Sequence, residues 1–214
     1  MGQSNNERLA IVREPSAAAF LELVSGRSGH FRLESGHHSA LWLDLDPLFS
    51  SARQIDHFVT DLVTAIRAYD VAAICGPLVG GAFLAQLVAQ AMGLEFAFTE
   101  RVIASQESSL YPASYRLPAA FRGRLRGVRV AIVDDVMSAG SALRGTYDEL
   151  RSYDAVPVVA GALLVLGSTG ADFFAERDIP VVAVARDKYD LWLPVSCPLC
   201  AAGVTLEDVT AAAV

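Results

Sequence analysis

The segment VAIVDDVMSAGSAL, residues 130–143, places two adjacent carboxylates between an apolar strand pattern and a run of small residues. The run comprises Val136, Met137, Ser138, Ala139, Gly140 and Ser141. Small side chains let a backbone close around an anion, and a helix that begins here would direct its positive N-terminus at that anion. An ordinary strand-to-helix turn with Ser141 as the N-cap explains the run equally well.

The acid pair Asp134 and Asp135 favours a ligand that is more than an anion. Two carboxylates beside a site for phosphate alone would repel the ligand and each other. The vicinal hydroxyls of a ribose are suitable partners, because each carboxylate can accept a hydrogen bond from one sugar hydroxyl. The segment therefore predicts a sugar-phosphate site, and the competing interpretation is a pair of surface acids that cap neighbouring N–H groups.

A second glycine-rich segment, GPLVGG at residues 76–81, has the glycine spacing of a P-loop. Ala82 stands where that motif requires lysine, so the nucleoside-triphosphate interpretation fails. The dinucleotide pattern GxGxxG is also absent from the sequence. What remains is a turn that can present backbone amides to phosphate oxygens.

The hydrophobic pattern predicts an alternation of strands and helices around these two segments. Ser16 is a candidate N-cap for a helix over residues 16–24, and residues 31–35 and 40–45 form a predicted hairpin. The predicted order continues with helix 51–68, strand 71–75, helix 82–92, strand 95–101, an unassigned loop at 102–116, strand 128–133, helix 141–153 and strands 156–166 and 181–185. Such alternation predicts an α/β fold, with a mainly parallel twisted sheet, helices on both faces and a ligand site at the carboxyl ends of the strands.

Composition excludes several classes of protein. The longest nearly uninterrupted apolar run, residues 156–166, is much shorter than the roughly 20 residues of a membrane-spanning helix. The N-terminal residues lack the basic patch and apolar run of a secretory signal, so we expect a cytoplasmic protein. The net charge of −7 argues against nucleic acid as a partner, whereas six arginines between residues 101 and 129 indicate a small polyanion.

The cysteines and histidines give a weaker signal. Cys75 ends an apolar run and is predicted to lie in the core. Cys197 and Cys200 form a single CxxC, which could bind zinc only if a distant histidine or a second subunit completed four ligands, so a buried or capping thiol pair is favoured. The neighbouring His37 and His38 lie at a predicted hairpin turn, where successive side chains point apart, and turn residues are favoured over metal ligands.

The acid pair and its loop resemble the phosphoribosyl-diphosphate (PRPP) signature of type I phosphoribosyltransferases. The segments FRLESGHHSALWLD, ICGPLVGGAFLA and FAFTER are most similar to the orotate phosphoribosyltransferase branch. The resemblance extends over most of residues 20–190 and implies one domain over residues 1–214. Within it, residues 1–50 would supply a small N-terminal strand and helix hood, residues 51–190 the core sheet, and residues 191–214 a tail.

By this resemblance the enzyme would join a nitrogen base to ribose 5-phosphate and release pyrophosphate. Asp134, Asp135 and Arg101 would be the catalytic residues, and residues 136–141 would bind the 5′-phosphate of PRPP. Pyrophosphate would meet Gly76, Pro77, Gly80, Gly81 and Arg101, with Mg²⁺ carried by its oxygens and no metal ligand assigned to the protein. Ser35 and Gly36 would contact the base. Residues 102–116, the hood loop, would exclude water and reach the other subunit of a homodimer.

Three positions depart from the family pattern. The hood loop of the family carries lysines and a histidine after its arginine, whereas only Arg101 is present here and Lys188 is the sole lysine of the chain. Arg116 and Arg122 are the alternative sources of positive charge for the pyrophosphate. Glu34 replaces a lysine before Ser35, and residues 167–168 read Gly-Ser in place of Asp-Arg. The changes at Glu34 and at residues 167–168 remove positive charge where an anionic base would lie, and burial of a carboxylate without a cationic partner costs several kcal/mol as a rough figure. Orotate is therefore the family default and another pyrimidine-like base the physical alternative.

Two other functions remain open from the sequence. A non-catalytic PRPP or nucleotide sensor would keep the sugar-phosphate site and lack the basic residues of the hood loop. The second alternative is a general nucleotide-binding α/β module, because one fold can host many functions.

Overall fold

Six strands form the central sheet of this computed structural model, which describes residues 17–103 and 110–209. The strands are β3 Ala73–Pro77, β4 Glu95–Ile103, β5 Ala113–Arg116, β6 Arg129–Met137, β7 Val156–Leu166 and β8 Val181–Asp187. Their order is β5-β4-β3-β6-β7-β8, and every pair is parallel except β4 with β5. The predicted mainly parallel α/β sheet is thus confirmed, whereas Ser16, the predicted N-cap, lies outside the described residues.

Helices cover both faces of this sheet. They are α1 Ala17–Leu21, α2 Ala52–Ile66, α3 Gly80–Met92, α4 Ala119–Arg122, α5 Ser141–Ser152 and α6 Thr169–Ala175. A seventh helix, α7 Pro198–Ala201, lies in the C-terminal tail. Residues of α2 and α3, including Phe58 and Leu84, belong to one buried cluster. Residues of α5 and α6, including Leu150 and Phe174, belong to a second cluster on the other face. Because apolar side chains recur at helical spacing along α2, that helix has one buried stripe and one exposed face.

A separate three-stranded sheet joins the two ends of the chain. It contains β1 Ser25–Arg32, β2 His38–Asp44 and β9 Glu207–Asp208 in the order β2-β1-β9. β1 and β2 form an antiparallel hairpin, and β9 lies parallel to β1 with Phe31 opposite Glu207. His38 and Trp192 exchange two backbone hydrogen bonds of 2.8 and 2.9 Å, so the predicted tail packs onto the N-terminal hairpin.

Several local predictions are wrong. The first strand of the hairpin is Ser25–Arg32 rather than 31–35, so residues 33–35 lie in the connection between the strands. Part of the segment predicted as a loop at 102–116 is strand β5, which pairs with β4 and buries Tyr115. β6 does not end with the apolar run at residue 133, as predicted, but continues through both acids to Met137. The reason is that its backbone remains paired with β7 as far as Met137. His38 is the first residue of β2, and only His37 remains in the turn, where its ring contacts Ser35 Oγ. Helix α6 has no counterpart in the predicted elements.

Within the described residues, no helix is both long enough and apolar enough to cross a membrane.

Candidate active site

The glycine-rich turn and the acid pair meet because they follow neighbouring strands. β3 and β6 are adjacent and parallel, so their carboxyl ends lie at the same edge of the sheet. A Cβ atom at Gly81 would lie only 2.6 Å from Asp134 Oδ1, and one at Gly80 would collide with Asp135 Oδ2. The turn can therefore lie directly against both carboxyl groups only with glycine at these two positions.

The two carboxyl groups are almost completely buried, each residue being 8 % exposed. Asp134 Oδ1 accepts a hydrogen bond of 3.0 Å from the amide of Asp135, and Asp135 Oδ1 accepts one of 2.7 Å from the amide of Val136. Burial raises the pKa of Asp134 well above its usual range, and the neighbouring charge of Asp135 raises it further. Burial also raises the pKa of Asp135, although the Val136 amide acts in the opposite direction. A hydroxyl donor or a cation beside the pair would offset this cost.

The loop after the acids leaves backbone donors open. Gly140 has a φ of 75° and precedes the first residue of α5, in a left-handed conformation that glycine adopts without strain. Within the described part of the chain, the amides of Ala139, Gly140 and Ser141 donate to no acceptor of the protein. Because these amides stand at the N-terminus of the 12-residue helix α5, the loop can bind a phosphate group.

A cavity of about 340 Å³ connects Asp134 and the loop to the N-terminal hairpin. Its volume lies at the lower end of the range of small-molecule sites. The lining residues are Leu33, Glu34, Ser35, Trp42, Leu43, Leu45, Arg101, Asp134, Val136, Ser138, Gly140, Ser141, Ala142, Leu166, Tyr189 and Val209. One end is therefore polar, with acids and open amides, and the other has apolar walls from the hairpin and the tail.

The structure brings many, but not all, of the predicted site residues to this cavity. Ser35, Arg101, Asp134, Val136, Ser138, Gly140 and Ser141 line it. Met137 and Ala139 turn buried side chains into the protein, so only their backbone could face a ligand. Asp135, Gly76, Pro77, Gly80 and Gly81 are not among the described residues that line it, although Gly80 and Gly81 lie directly against the two acids. Gly36 lines a different cavity, together with Arg32 and His38.

Glu34 and Tyr115 surround the predicted catalytic arginine. Arg101 Nε lies 3.3 Å from Glu34 Oε2 and, within the described residues, is buried without an acceptor in hydrogen-bond geometry. The Tyr115 hydroxyl donates a hydrogen bond of 2.8 Å to Glu34 Oε1. Burial and the nearby Glu34 carboxylate both raise the pKa of Tyr115, so the phenol stays protonated. Sequence analysis missed Tyr115, because a four-residue strand leaves too short a pattern to detect.

Tyr111 connects the end of the hood loop to the cavity wall. Its amide donates a 2.9 Å hydrogen bond to the carbonyl of Ser35, and its ring lies 4.4 Å from the guanidinium carbon of Arg144 on α5. Arg144 in turn donates a 2.7 Å hydrogen bond to the carbonyl of Thr169. Ser35, the predicted base contact, and helix α5, which follows the predicted phosphate loop, are therefore held together by one chain of contacts. No sequence pattern indicated this arrangement.

We expect Gly81→Ala to damage the site and the fold together. Its Cβ would lie 2.6 Å from both Asp134 Oδ1 and Pro77 Cδ, and overpacking of this kind costs about 1–3 kcal/mol. Thermal unfolding and calorimetric titration with PRPP measure the two effects. Gly123→Ala is the matched control, because nothing lies within 4 Å of a Cβ at Gly123. Equal unfolding temperatures for the two variants would contradict the close approach of the turn to the acids.

Comparison with known proteins identifies the family and the fold. The family described as phosphoribosyl transferase domain matches residues 47–184. An orotate phosphoribosyltransferase of Carboxydothermus hydrogenoformans is 32 % identical over 187 residues, which are 86 % of this chain and 91 % of that protein. An adenine phosphoribosyltransferase structure from Thermoanaerobacter pseudethanolicus has a TM-score of 0.62 at 14 % identity, covering 80 % of this chain and 99 % of that one. An orotate phosphoribosyltransferase structure from Aeropyrum pernix has a TM-score of 0.58 at 21 % identity, covering 79 % and 91 %.

Proposed function

The chain belongs to the phosphoribosyl transferase domain family and is a phosphoribosyltransferase, and from this premise we propose that it transfers the phosphoribosyl group of PRPP to a pyrimidine-like base. The observation that carries the proposal is the sharing of one cavity by the buried Asp134 carboxyl and the open loop around Gly140. In this arrangement the acids accept hydrogen bonds from the ribose hydroxyls while the loop amides hold the 5′-phosphate.

The charges around the cavity suit the bond that breaks. Cleavage of the bond between C1′ and the pyrophosphate oxygen leaves positive charge on the ribose ring and negative charge on the departing pyrophosphate. The carboxylates of Asp134 and Asp135 stabilise the first, and Arg101 with the amides of the glycine-rich turn stabilises the second. Electrostatic stabilisation of this kind acts strongly because the two acids are shielded from water.

Mg²⁺ fits this site as an ion carried by the pyrophosphate. The donors beside the glycine-rich turn are carboxylate oxygens, which are the ligands that Mg²⁺ prefers, and their burial raises the pKa of Asp134 in the absence of a cation. When bound, the ion would neutralise negative charge on the leaving group. The carboxylates of Asp134 and Asp135 would lie nearest to it, because they contact the same turn.

The base end of the cavity favours an uncharged ring over the orotate anion. Arg101 is the one cation among the described residues that line the cavity, and Glu34 is already paired with it. A carboxylate on the base would therefore approach the Glu34 carboxylate, and the one cation that lines the cavity among the described residues is the arginine that we assign to the pyrophosphate. Relatives named for orotate make that base the first to compare. The charges that line the cavity support our proposal of a neutral pyrimidine-like ring.

The direct test measures pyrophosphate release from PRPP with Mg²⁺ and a panel of bases that includes orotate, uracil and adenine. We expect base-dependent release, with a neutral pyrimidine-like base giving the largest kcat/KM. Release with orotate alone would retain the transferase proposal and refute the preference for an uncharged ring. If PRPP binds in calorimetry but no base supports release, the proposal fails and the sensor interpretation replaces it.

Glu34→Gln should improve the use of orotate relative to an uncharged base. Removal of one negative charge near the ring is expected to raise the kcat/KM ratio of orotate to the neutral base about tenfold, which is ~1.4 kcal/mol. Glu100→Gln is the matched control, because Glu100 lies on the same strand as Arg101 and is exposed. An unchanged ratio in Glu34→Gln would mean that the carboxylate does not face the base.

The oligomeric state, the location and the partners of the enzyme are also part of the proposal. We propose a homodimer in which the hood loop reaches the neighbouring site, and a cytoplasmic location with no nucleic-acid or membrane partner. The chain mass of 22.8 kDa makes a dimer easy to recognise by analytical ultracentrifugation.

A further inference from the structure

Four metal-binding side chains converge where the N-terminal hairpin meets the C-terminal tail, away from the cavity described above. They are His30, His38, Cys197 and Cys200, here called the Cys2His2 cluster. One ligand atom from each residue lies within 4.8 Å of all the others. Neither the family match at residues 47–184 nor the proposed transfer reaction uses any of these side chains.

The distances within the cluster agree with a tetrahedral zinc ion. Ordinary Zn–N and Zn–S bond lengths put ligand nitrogens about 3.3 Å apart in a tetrahedron and nitrogen and sulfur about 3.5 Å apart. His30 Nε2 lies 3.1 Å from His38 Nδ1 and 3.4 Å from Cys197 Sγ. Cys200 Sγ lies 3.3 Å from His38 Nδ1 and 3.7 Å from His30 Nε2. These separations leave room for one ion among the four atoms.

Backbone pairing from two distant parts of the chain builds this arrangement. His30 is on β1 and His38 begins β2, next to the irregularity in strand register between Ser28 and Phe31. Cys197 precedes the first turn of α7 and Cys200 lies within it, so that the two sulfurs are close together. The hydrogen bonds between His38 and Trp192 bring the tail to the hairpin. Each pair of ligands is therefore positioned by its own local structure.

A contact outside the four ligand atoms orients His30 for metal binding. His30 Nδ1 lies 2.9 Å from the carbonyl oxygen of Val204, so a proton on Nδ1 is donated to that carbonyl. The other nitrogen, Nε2, then carries the lone pair and faces the cluster. Metal-bound histidines commonly donate their second ring N–H to a backbone carbonyl in this way. The histidine is thus held in the tautomer that binds a cation.

Burial and ligand chemistry select the kind of ion. His30, His38 and Cys197 are 3–4 % exposed, whereas Cys200 is exposed and gives an ion a path of entry. Two thiolates and two imidazoles favour zinc over magnesium or calcium, which prefer oxygen. A two-iron cluster with two histidines on one iron and two cysteines on the other would separate the nitrogens from the sulfurs. Here nitrogens and sulfurs alternate at 3.3–3.7 Å.

We propose that the Cys2His2 cluster binds one structural Zn²⁺ that fastens the C-terminal tail to the N-terminal hairpin. Four protein ligands complete a tetrahedral site and leave no position for a substrate, which is the property of a structural site. The ion cross-links residues as far apart in sequence as His30 and Cys197, which are separated by 167 positions. Because Val209 of the tail and Leu33 of the hairpin both line the active-site cavity, the ion also fixes one wall of that cavity.

Zinc content of the purified full-length protein is the first measurement. We expect about one zinc per chain by elemental analysis when the protein is purified in reducing buffer without a metal-binding tag. Cys197→Ser, Cys200→Ser and His30→Gln should lose this zinc. Cys75→Ala and His57→Gln are the matched controls, because Cys75 lies in the core and His57 on an exposed face of α2, and both should retain it.

Two further readouts do not depend on the folding of any variant. Wild-type protein stripped by a chelator should rebind Zn²⁺ at one equivalent with a rise in its unfolding temperature, and Co²⁺ in its place should give the absorption of tetrahedral thiolate-bound cobalt. Equal zinc content in wild type and Cys197→Ser would overturn the proposal. So would a stripped wild type that binds no Zn²⁺, or a purified protein in which Cys197 and Cys200 form a disulfide under reducing conditions.

Discussion

Asp134→Asn should lower kcat by about 10²–10³-fold and at the same time raise the unfolding temperature at neutral pH. The loss of rate follows from the removal of a negative charge beside the developing positive charge of the ribose ring, and loss of one well-placed electrostatic group has effects of this size. Asparagine keeps an oxygen that can accept the amide hydrogen bond of Asp135, which is 3.0 Å in the structure. The substitution therefore changes the charge with little change in shape.

The expected gain in stability follows from the raised pKa of Asp134. Burial and the charge of Asp135 raise this pKa, so the folded chain binds more protons than the unfolded chain at pH values between the ordinary carboxyl pKa and the raised one. Stability consequently falls as pH rises through that window, and at higher pH the cost is present in full. A neutral side chain removes this cost, and for a protein of this size each kcal/mol moves the unfolding temperature by about 2–4 °C.

Thermal unfolding between pH 4 and pH 8 tests this argument alongside kinetics. The advantage of Asp134→Asn over wild type should grow as pH increases. Asp56→Asn on the exposed face of α2 is the control, and it should change neither the rate nor this pH dependence. If Asp134→Asn destabilised the protein at every pH, the folded protein would stabilise the Asp134 carboxylate, which would contradict the raised pKa. Full activity in the same variant would remove Asp134 from the proposed catalytic group.

The site could be predicted from sequence wherever its chemistry lies in one short segment. Residues 130–143 contain the end of the strand, both acids and the following loop, and local spacing was enough to predict that the acids lie beside a loop with open amides. The neighbouring turn at residues 76–81 was also predictable, because parallel strands bring their carboxyl ends to one edge. In these cases the sequence already predicts which residues lie close together, and the structure adds their burial and the distances between them.

Contacts between distant segments could not be predicted. The pairing of Glu34 with Arg101 and Tyr115 depends on how the hairpin lies over β4 and β5, and no periodic pattern encodes it. No sequence pattern relates His30 to Cys197, because 167 positions separate them. The adjacent histidines His37 and His38 instead indicate a turn. Both sets of contacts form only when the hairpin, the tail and the sheet pack together, so they require the tertiary structure.

Arg101→Ala is expected to lower kcat by about 10²–10³-fold with PRPP and the preferred base. Arg101 lines the cavity, and its buried Nε has no hydrogen-bond acceptor among the described residues, so the guanidinium has donors to spare for an anion. Residues 102–115 contain neither lysine nor arginine, and Arg116, the last residue of the hood loop, is exposed and is not among the residues that line the cavity. The negative charge on the departing pyrophosphate would then be neutralised by the turn amides and the carried Mg²⁺ alone.

A double variant separates this role from a purely structural one. If Arg101 served only to neutralise Glu34, then Arg101→Ala combined with Glu34→Gln would recover most of the lost activity, because neither charge would remain unpaired. If Arg101 acts on the leaving group, the double variant stays as slow as Arg101→Ala. We expect the second result, with Arg101→Lys intermediate, since lysine keeps the charge but loses the two-pronged contact with phosphate oxygens. Pyrophosphate release measured at saturating PRPP distinguishes the two outcomes, because a structural defect in binding would appear in KM rather than in kcat.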